Sequence, residues 1–210
     1  VLQQLRGLLA QCSNFVCTTF LKDLEQVAQT FPHWKNLAPG SCFLCRGDFV
    51  KPHGNGLLFP NGVLCMPEKN RLETLEIDPA RTDLVREDKE PEWRLPDAKV
   101  YGLNFGKNGP VFHLAKGDFH GLWPLRHGNE ACETGSLARV LGAFAQNRQA
   151  VVTAVNKSLK ACGMLPQDLN SALGRLLSRG IEASVLAGSA MAWLDELEGL
   201  MDQKNSRGIG

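Results

Sequence analysis

The spacing of apolar residues changes twice along this chain, and the changes divide it into three parts. Residues 2 to about 30 repeat apolar side chains at intervals of three and four, which predicts one amphipathic helix that Pro32 ends. Because its apolar stripe is broad, we expect the stripe to pack on the rest of the protein; it includes Leu5, Leu8, Cys12 and Phe15. The three predicted units are residues 1–36, 37–133 and 134–210.

The third unit returns to helical spacing and predicts a three-helix bundle. Ser136 suits the N-cap of its first helix, and Gly163 suits the C-cap. A second helix is predicted from Pro166 to Gly180, and a third begins at Glu182. Short connections between such helices make them antiparallel neighbours, which is the arrangement of a bundle.

The middle unit alternates apolar and polar residues in short runs, which is typical of strands. Residues 98–125 predict a hairpin whose turn is residues 106–109, and residues 54–64 predict another strand, tight turn and strand. Residues 67–97 are charged and contain four prolines, which indicates a linker with a short helix near residues 79–88. The fold class expected from all three units is α+β.

Cysteine spacing adds a candidate metal site to the middle unit. Cys42 and Cys45 are two residues apart and Gly47 follows, which is the pattern of a zinc knuckle. His53 and Cys65 come at distances that complete four ligands for Zn²⁺ if the chain folds back as a hairpin. Other side chains remain open as the fourth ligand: Glu68, His113, His120 and Cys132.

The remaining composition limits the class of protein. Seven cysteines are scattered and odd in number, which favours reduced thiols and a cytoplasmic location over a disulfide framework. An alternative to a metal site is therefore that Cys42 and Cys45 are reduced and pack as small hydrophobic residues. No run of about 18 apolar residues predicts a membrane span.

Exposed polar residues on the predicted turns indicate a second candidate function. The formal net charge is +1, but acidic residues concentrate between Glu68 and Asp97, so the rest of the chain carries a mild positive excess. Basic and amide side chains on turn tips can contact phosphates and base edges. The predicted nucleic-acid-binding residues are Arg46, Lys51, Asn55, Lys107, Asn108 and Lys116.

The order of these units resembles the small Cas8-like subunit of type IV CRISPR effector complexes. The resemblance is carried by residues 42–47, by Cys65 and by residues 109–117; a second Cys-x-x-Cys pair is absent here. It implies a non-catalytic subunit of a multi-protein ribonucleoprotein complex. Such a subunit would hold the 5′ end of a guide RNA and recognise a short motif in duplex DNA.

Two further interpretations remain open from the sequence. In a papain-like cysteine protease, Cys42 would be the nucleophile and His113 or His120 the base, and such an enzyme could cleave after its own Gly210. In a zinc-stabilised adaptor, the helical bundle would bind only protein.

Overall fold

The computed structural model describes residues 1–68, 71–75, 85–87, 103–106, 109–112, 125–127 and 130–207. Helices occupy both ends of this part of the chain, and strands occupy its middle. The helices are α1 (Leu2–Phe15), α2 (Leu21–Thr30), α3 (Ser136–Ala145), α4 (Gln149–Cys162) and α5 (Ala172–Arg207). The strands are β1 (Cys42–Val50), β2 (Leu57–Glu68), β3 (Arg71–Leu75), β4 (Val85–Glu87), β5 (Leu103–Gly106), β6 (Gly109–Phe112), β7 (Leu125–His127) and β8 (Glu130–Cys132).

The extent of the predicted N-terminal helix is confirmed, but the face that packs on the rest of the protein differs from the predicted one. A π-helical turn, Val16–Phe20, joins α1 to α2, and the helix ends at Thr30, just before Pro32. Contact with α5 is made by a face of α1 that carries Arg6. Leu8 and Phe15, from the apolar stripe, are instead 62% and 56% exposed, so the prediction that the stripe packs inward is wrong.

The helices of the third unit have other boundaries than predicted. Gly163 adopts the left-handed conformation and ends α4, as predicted. The single helix expected before it is wrong, because the chain breaks between α3 and α4, where Asn147 has φ of 54°. The break expected at Gly180 is also wrong, since α5 runs through that position.

Gly180 is needed for close packing and does not end a helix. A Cβ atom at this position would lie 2.8 Å from Cδ1 of both Leu21 and Leu24. Glycine therefore lets α5 approach α2 more closely than any side chain would.

The hairpin of β1 and β2 pairs the cysteine segments antiparallel. Cys42 lies opposite Cys65, which confirms the predicted return of Cys65 to the knuckle segment. The turn is formed by residues 51–56, where His53 and Gly56 have positive φ angles. Of the two Asn-Gly pairs that predicted a tight turn in residues 54–64, Asn55-Gly56 lies in the observed turn, whereas Asn61 and Gly62 lie inside β2.

Part of the predicted charged linker is β structure. Strand β3 pairs with β2, and β4 pairs with β7 in a second sheet that continues to β8. The short helix expected at residues 79–88 is contradicted by β4 at residues 85–87. Gly106 lies opposite Gly109 in the β5–β6 pair, which confirms the predicted hairpin there.

Strand β1 separates two apolar clusters. Phe43 and Cys45 belong to the large core that joins the hairpin to the helices. Cys42 and Leu44 belong to a smaller cluster with Val63 and Cys132. Neighbouring residues of one strand thus have different surroundings, as the alternation of side chains along a strand requires.

Among the helices that the structure describes, none is both long and apolar enough to cross a membrane.

Candidate functional site

The predicted zinc knuckle is not formed, because its two cysteines lie on opposite faces of β1. Residues three apart on an extended strand point to different sides of the sheet. The Sγ atom of Cys45 donates a hydrogen bond to the carbonyl oxygen of Ala138 in α3, at 2.8 Å. The Sγ atom of Cys42 lies 2.8 Å from Sγ of Cys132, in the other cluster. One metal ion therefore does not reach both thiols of the motif.

Cys45 is a core residue whose thiol stays protonated. Its side chain is 2% exposed, and desolvation by burial raises its pKa to about 12, although the nearby positive charge of Arg139 acts in the opposite direction. A Cβ atom on Gly142 would come within 2.7 Å of the sulfur, so α3 packs directly on this thiol. Metal ligation requires a thiolate, which this environment disfavours.

Three other thiols form a row in the smaller cluster, which we call the thiol row: Cys65, Cys42 and Cys132. The Sγ atom of Cys42 lies 3.9 Å from that of Cys65. The hydrogen bond with Cys132, and then burial, raise the pKa of Cys42 well above its ordinary range. Leu44 and Val63 pack beside the row and keep its centre apolar.

The spacing within the thiol row does not suit a tetrahedral metal ion. With metal–sulfur bonds of about 2.3 Å, two sulfur ligands lie roughly 3.7 Å apart. The Cys42 and Cys132 sulfurs are much closer, at 2.8 Å. In the part of the chain that the structure describes, no group of three or more His, Cys, Asp or Glu residues is arranged to hold a metal ion.

His53 lies away from the cysteines, in the turn that contacts α5. Its Nδ1 atom is 3.1 Å from the Glu196 carboxylate, and its backbone N–H donates to the same carboxylate. Close by, Trp193 stacks on Phe49 and donates to the carbonyl oxygen of Val50. His53 therefore helps to dock the hairpin on α5 and is not a fourth ligand beside Cys42, Cys45 and Cys65.

The predicted nucleic-acid residues are only partly within the described structure. Lys51 and Asn55 share the turn between β1 and β2, whereas Arg46 lies in β1 itself. Lys107, Asn108 and Lys116 lie outside the described residues, as do His113 and His120 of the protease interpretation. The nucleophile of that interpretation, Cys42, is 2% exposed and has a raised pKa, which is the reverse of an activated thiol.

Several ion pairs that the sequence analysis missed hold the hairpin region to the helices. Arg175 of α5 makes a bidentate pair with Glu133, at 2.8 and 2.5 Å, and also donates to the carbonyl oxygen of Ala38. Arg139 of α3 pairs with the buried Glu182 of α5. No local signal in the sequence identifies these partners, because each pair joins residues more than 40 positions apart.

Comparison with known proteins places this arrangement of helices and hairpin in a family of metalloenzymes. The family model described as nickel-dependent hydrogenase matches residues 1–209. The chain belongs to the nickel-dependent hydrogenase family.

Curated relatives and solved structures agree with this assignment. The hydrogenase-1 large chains of Escherichia coli K12 and Shigella flexneri are each 26% identical over 222 residues. In both alignments 93% of this chain matches 36% of the relative. The chain therefore spans little more than a third of these relatives.

Solved structures of hydrogenases share the fold. The reduced Ni-Fe-Se hydrogenase from Desulfovibrio vulgaris Hildenborough has a TM-score of 0.59 at 19% identity, over 93% of this chain and 40% of that one. The reduced, active Ni-Fe-Se hydrogenase from Desulfomicrobium baculatum has the same TM-score at 18% identity and the same coverage.

Family membership overturns most functional predictions made from the sequence. The resemblance to a CRISPR subunit is wrong, and so are the zinc cofactor, the guide RNA and duplex DNA partners, and the non-catalytic class, because the matching family consists of nickel-dependent enzymes. The resemblance depended on an order of elements and one Cys-x-x-Cys pair, and neither is specific to a fold.

Proposed function

We propose that this chain forms a structural framework within a hydrogenase of the large-chain type, an enzyme that oxidises H₂ to protons and electrons or runs the reverse reaction. The family match over residues 1–209 carries the proposal. The cytoplasmic location expected from the cysteine content remains part of it.

The described residues do not fit the role of nickel ligands. Thiolate sulfurs and imidazole nitrogens are the soft and borderline ligands that proteins offer to transition metals. Cys45 is a protonated core thiol that faces α3, Cys42 and Cys132 are also buried, and Cys42 has a raised pKa, whereas a metal ligand must be a thiolate. We therefore assign these three residues no role in metal binding, and we derive no step of the reaction from them.

A smaller partner chain is the interaction that the relatives' description as large chains suggests. The exposed apolar stripe of α1 supports such an interface, because an unpartnered stripe of this kind is typical of a binding surface. Leu8 and Phe15 are each more than half exposed, and Leu5 is 38% exposed. Near the C-terminal end of α5, Leu200 and Met201 are also exposed apolar residues.

Hydrogenase activity of the native complex is the direct test. We would isolate the complex through a tag on this chain, then measure nickel content and H₂-dependent reduction of a viologen dye. We expect both, and we expect a folded Cys45→Ala variant to retain the wild-type nickel content. A complex with neither nickel nor activity would contradict the hydrogenase proposal. Loss of nickel from folded Cys45→Ala would contradict only the framework assignment.

The partner surface is tested by adding charge to the stripe. Leu8→Asp should weaken co-purification of the smaller chain by about tenfold or more, because a buried charge at an interface centre is costly. Asn14→Asp is the matched control, since it places the same charge on an exposed position of α1 that lies on another face than the stripe. Equal recovery of the smaller chain with both variants would exclude the stripe as the interface.

A further inference from the structure

The thiol row crosses three adjacent backbone segments. Cys42 lies opposite Cys65 in the antiparallel β1–β2 pair. On the other edge of β1, the N–H of Glu133 donates to the carbonyl oxygen of Cys42, and the N–H of Leu44 donates to that of Glu133, both at 2.9 Å. Phe43 and Glu133 therefore form a parallel bridge, which places Cys132 beside Cys42.

This placement suits disulfide formation at two points. Adjacent strands lie about 4.8 Å apart, and disulfides join residues whose Cα atoms are about 4.4–6.8 Å apart. The Sγ atom of Cys42 is 2.8 Å from that of Cys132 and 3.9 Å from that of Cys65. Cys42 is thus the central thiol, and Cys132 and Cys65 on its two sides are within reach as disulfide partners.

Access to the three thiols is graded along the row. Cys65 is partly exposed, whereas Cys42 and Cys132 are 2% and 9% exposed. A reagent from solvent therefore meets Cys65 first. Cys45 is as buried as Cys42, but its sulfur is hydrogen-bonded to a carbonyl oxygen, so it offers an internal comparison.

We propose that the thiol row is a thiol–disulfide exchange site, which reacts with a small disulfide at Cys65 and passes the oxidation inward to a Cys42–Cys132 disulfide. The oxidant is a low-molecular-weight disulfide such as oxidised glutathione. The oxidised form joins β1 covalently to the segment that leads into α3.

Each step of the exchange conserves atoms and electrons. The Cys65 thiolate attacks the small disulfide, forms a mixed disulfide and releases one small thiol. The Cys42 sulfur then attacks Sγ of Cys65 and releases the second small thiol, which leaves a Cys42–Cys65 disulfide. Cys132 attacks Sγ of Cys42 and releases the Cys65 thiol. Overall, two protein thiols are oxidised, one small disulfide is reduced, and the two protons leave on the two small thiols.

The protonation of Cys42 limits the rate of the second step, the attack on Cys65. Because its pKa is raised, little thiolate is present at neutral pH, and the thiolate is the nucleophile in exchange. We expect the linked form to accumulate faster at pH 9 than at pH 7. The row therefore reacts slowly at neutral pH, where little Cys42 thiolate is present.

The test is to oxidise the reduced full-length chain with oxidised glutathione and then map the thiols. After acid quenching, alkylation and tryptic digestion, mass spectrometry should find the Cys42 and Cys132 peptides joined. Cys42 and Cys45 share one tryptic peptide, residues 36–46, so fragment ions must assign the linked sulfur. Cys45 should remain a free thiol throughout. Absence of the Cys42–Cys132 link, or a link through Cys45, would overturn the proposal.

Variants separate the entry thiol from the final pair. Cys65→Ser should slow formation of the Cys42–Cys132 disulfide by about tenfold or more, because the accessible thiol is lost. Cys12→Ser, at an exposed position of α1, is the matched control and should react at the wild-type rate. Cys132→Ser should stop the sequence at a Cys42–Cys65 disulfide. Wild-type rates in Cys65→Ser would contradict the inward transfer, and this result stands even if Cys132→Ser fails to fold.

Discussion

The two faces of β1 carry similar residues but serve different purposes. One face places Phe43 and Cys45 against the helices, where Cys45 donates to α3 and is only a packing residue. The opposite face places Cys42 and Leu44 in a small cluster, where Cys42 meets two other thiols. The comparison shows that the chemistry of a cysteine follows from the face on which it lies. The Cys-x-x-Cys spacing does not determine it.

Truncation on each face tests whether the helical side carries more of the stability. Phe43→Ala should lower the free energy of unfolding by about 3–5 kcal/mol, since it removes a fully buried ring from the large core. Leu44→Ala should cost about 2–3 kcal/mol, at the lower end for its class, because its cluster is small. Urea unfolding measures both, and a larger loss for Leu44→Ala would reverse the comparison.

The ion pair beside the helical face should be the next largest effect. Arg139→Met leaves the buried carboxylate of Glu182 without its main partner, which should cost about 2–3 kcal/mol in urea unfolding. Arg6→Met removes a more exposed pair with Asp195 and should change stability little. Equal losses in the two variants would show that burial of the Arg139 pair is unimportant.

Packing of α3 on Cys45 can be tested with a single methyl group. Gly142→Ala should destabilise the protein by about 1–3 kcal/mol, because the new Cβ meets the Cys45 sulfur at 2.7 Å. Gly188→Ala is the matched control in α5, where nothing lies within 4 Å, and it should be stabilising by roughly 0.5–1 kcal/mol. Cys45→Ala in the Gly142→Ala background should restore part of the loss; no restoration would place the clash elsewhere.

The pKa of Cys45 predicts the smallest effect, a loss of stability at high pH. Its folded pKa of about 12 lies above its ordinary value of 9.0, so its contribution is complete below pH 9 and is lost as pH rises towards 12. Between pH 9 and pH 10 this thiol should account for about 1 kcal/mol of lost stability. Cys45→Ala should show a shallower decline than wild type or Cys12→Ala in urea unfolding at the two pH values. Parallel declines would mean that Cys45 is not desolvated.

The candidate site was predictable only in part. The pairing of Cys65 with Cys42 followed from the hairpin pattern. Cys132 was one of several side chains left open as the fourth metal ligand. The opposite orientation of Cys45 was missed because the knuckle motif implies a tight bend, whereas these residues form an extended strand. His53 was misassigned because its carboxylate partner, Glu196, is 143 positions away.

Local signals in the sequence determined the extent of the N-terminal helix, the cap at Gly163 and the return of β2 along β1. Helical spacing, capping and hairpin pairing depend on residues a few positions apart, so the sequence alone expresses them. Tertiary structure decided which faces are covered. It left Leu8 and Phe15 exposed, used Gly180 for close packing against α2, and brought Cys132 to Cys42 across 90 positions. Such contacts depend on surfaces that meet only after the elements have packed, and no short-range pattern records them.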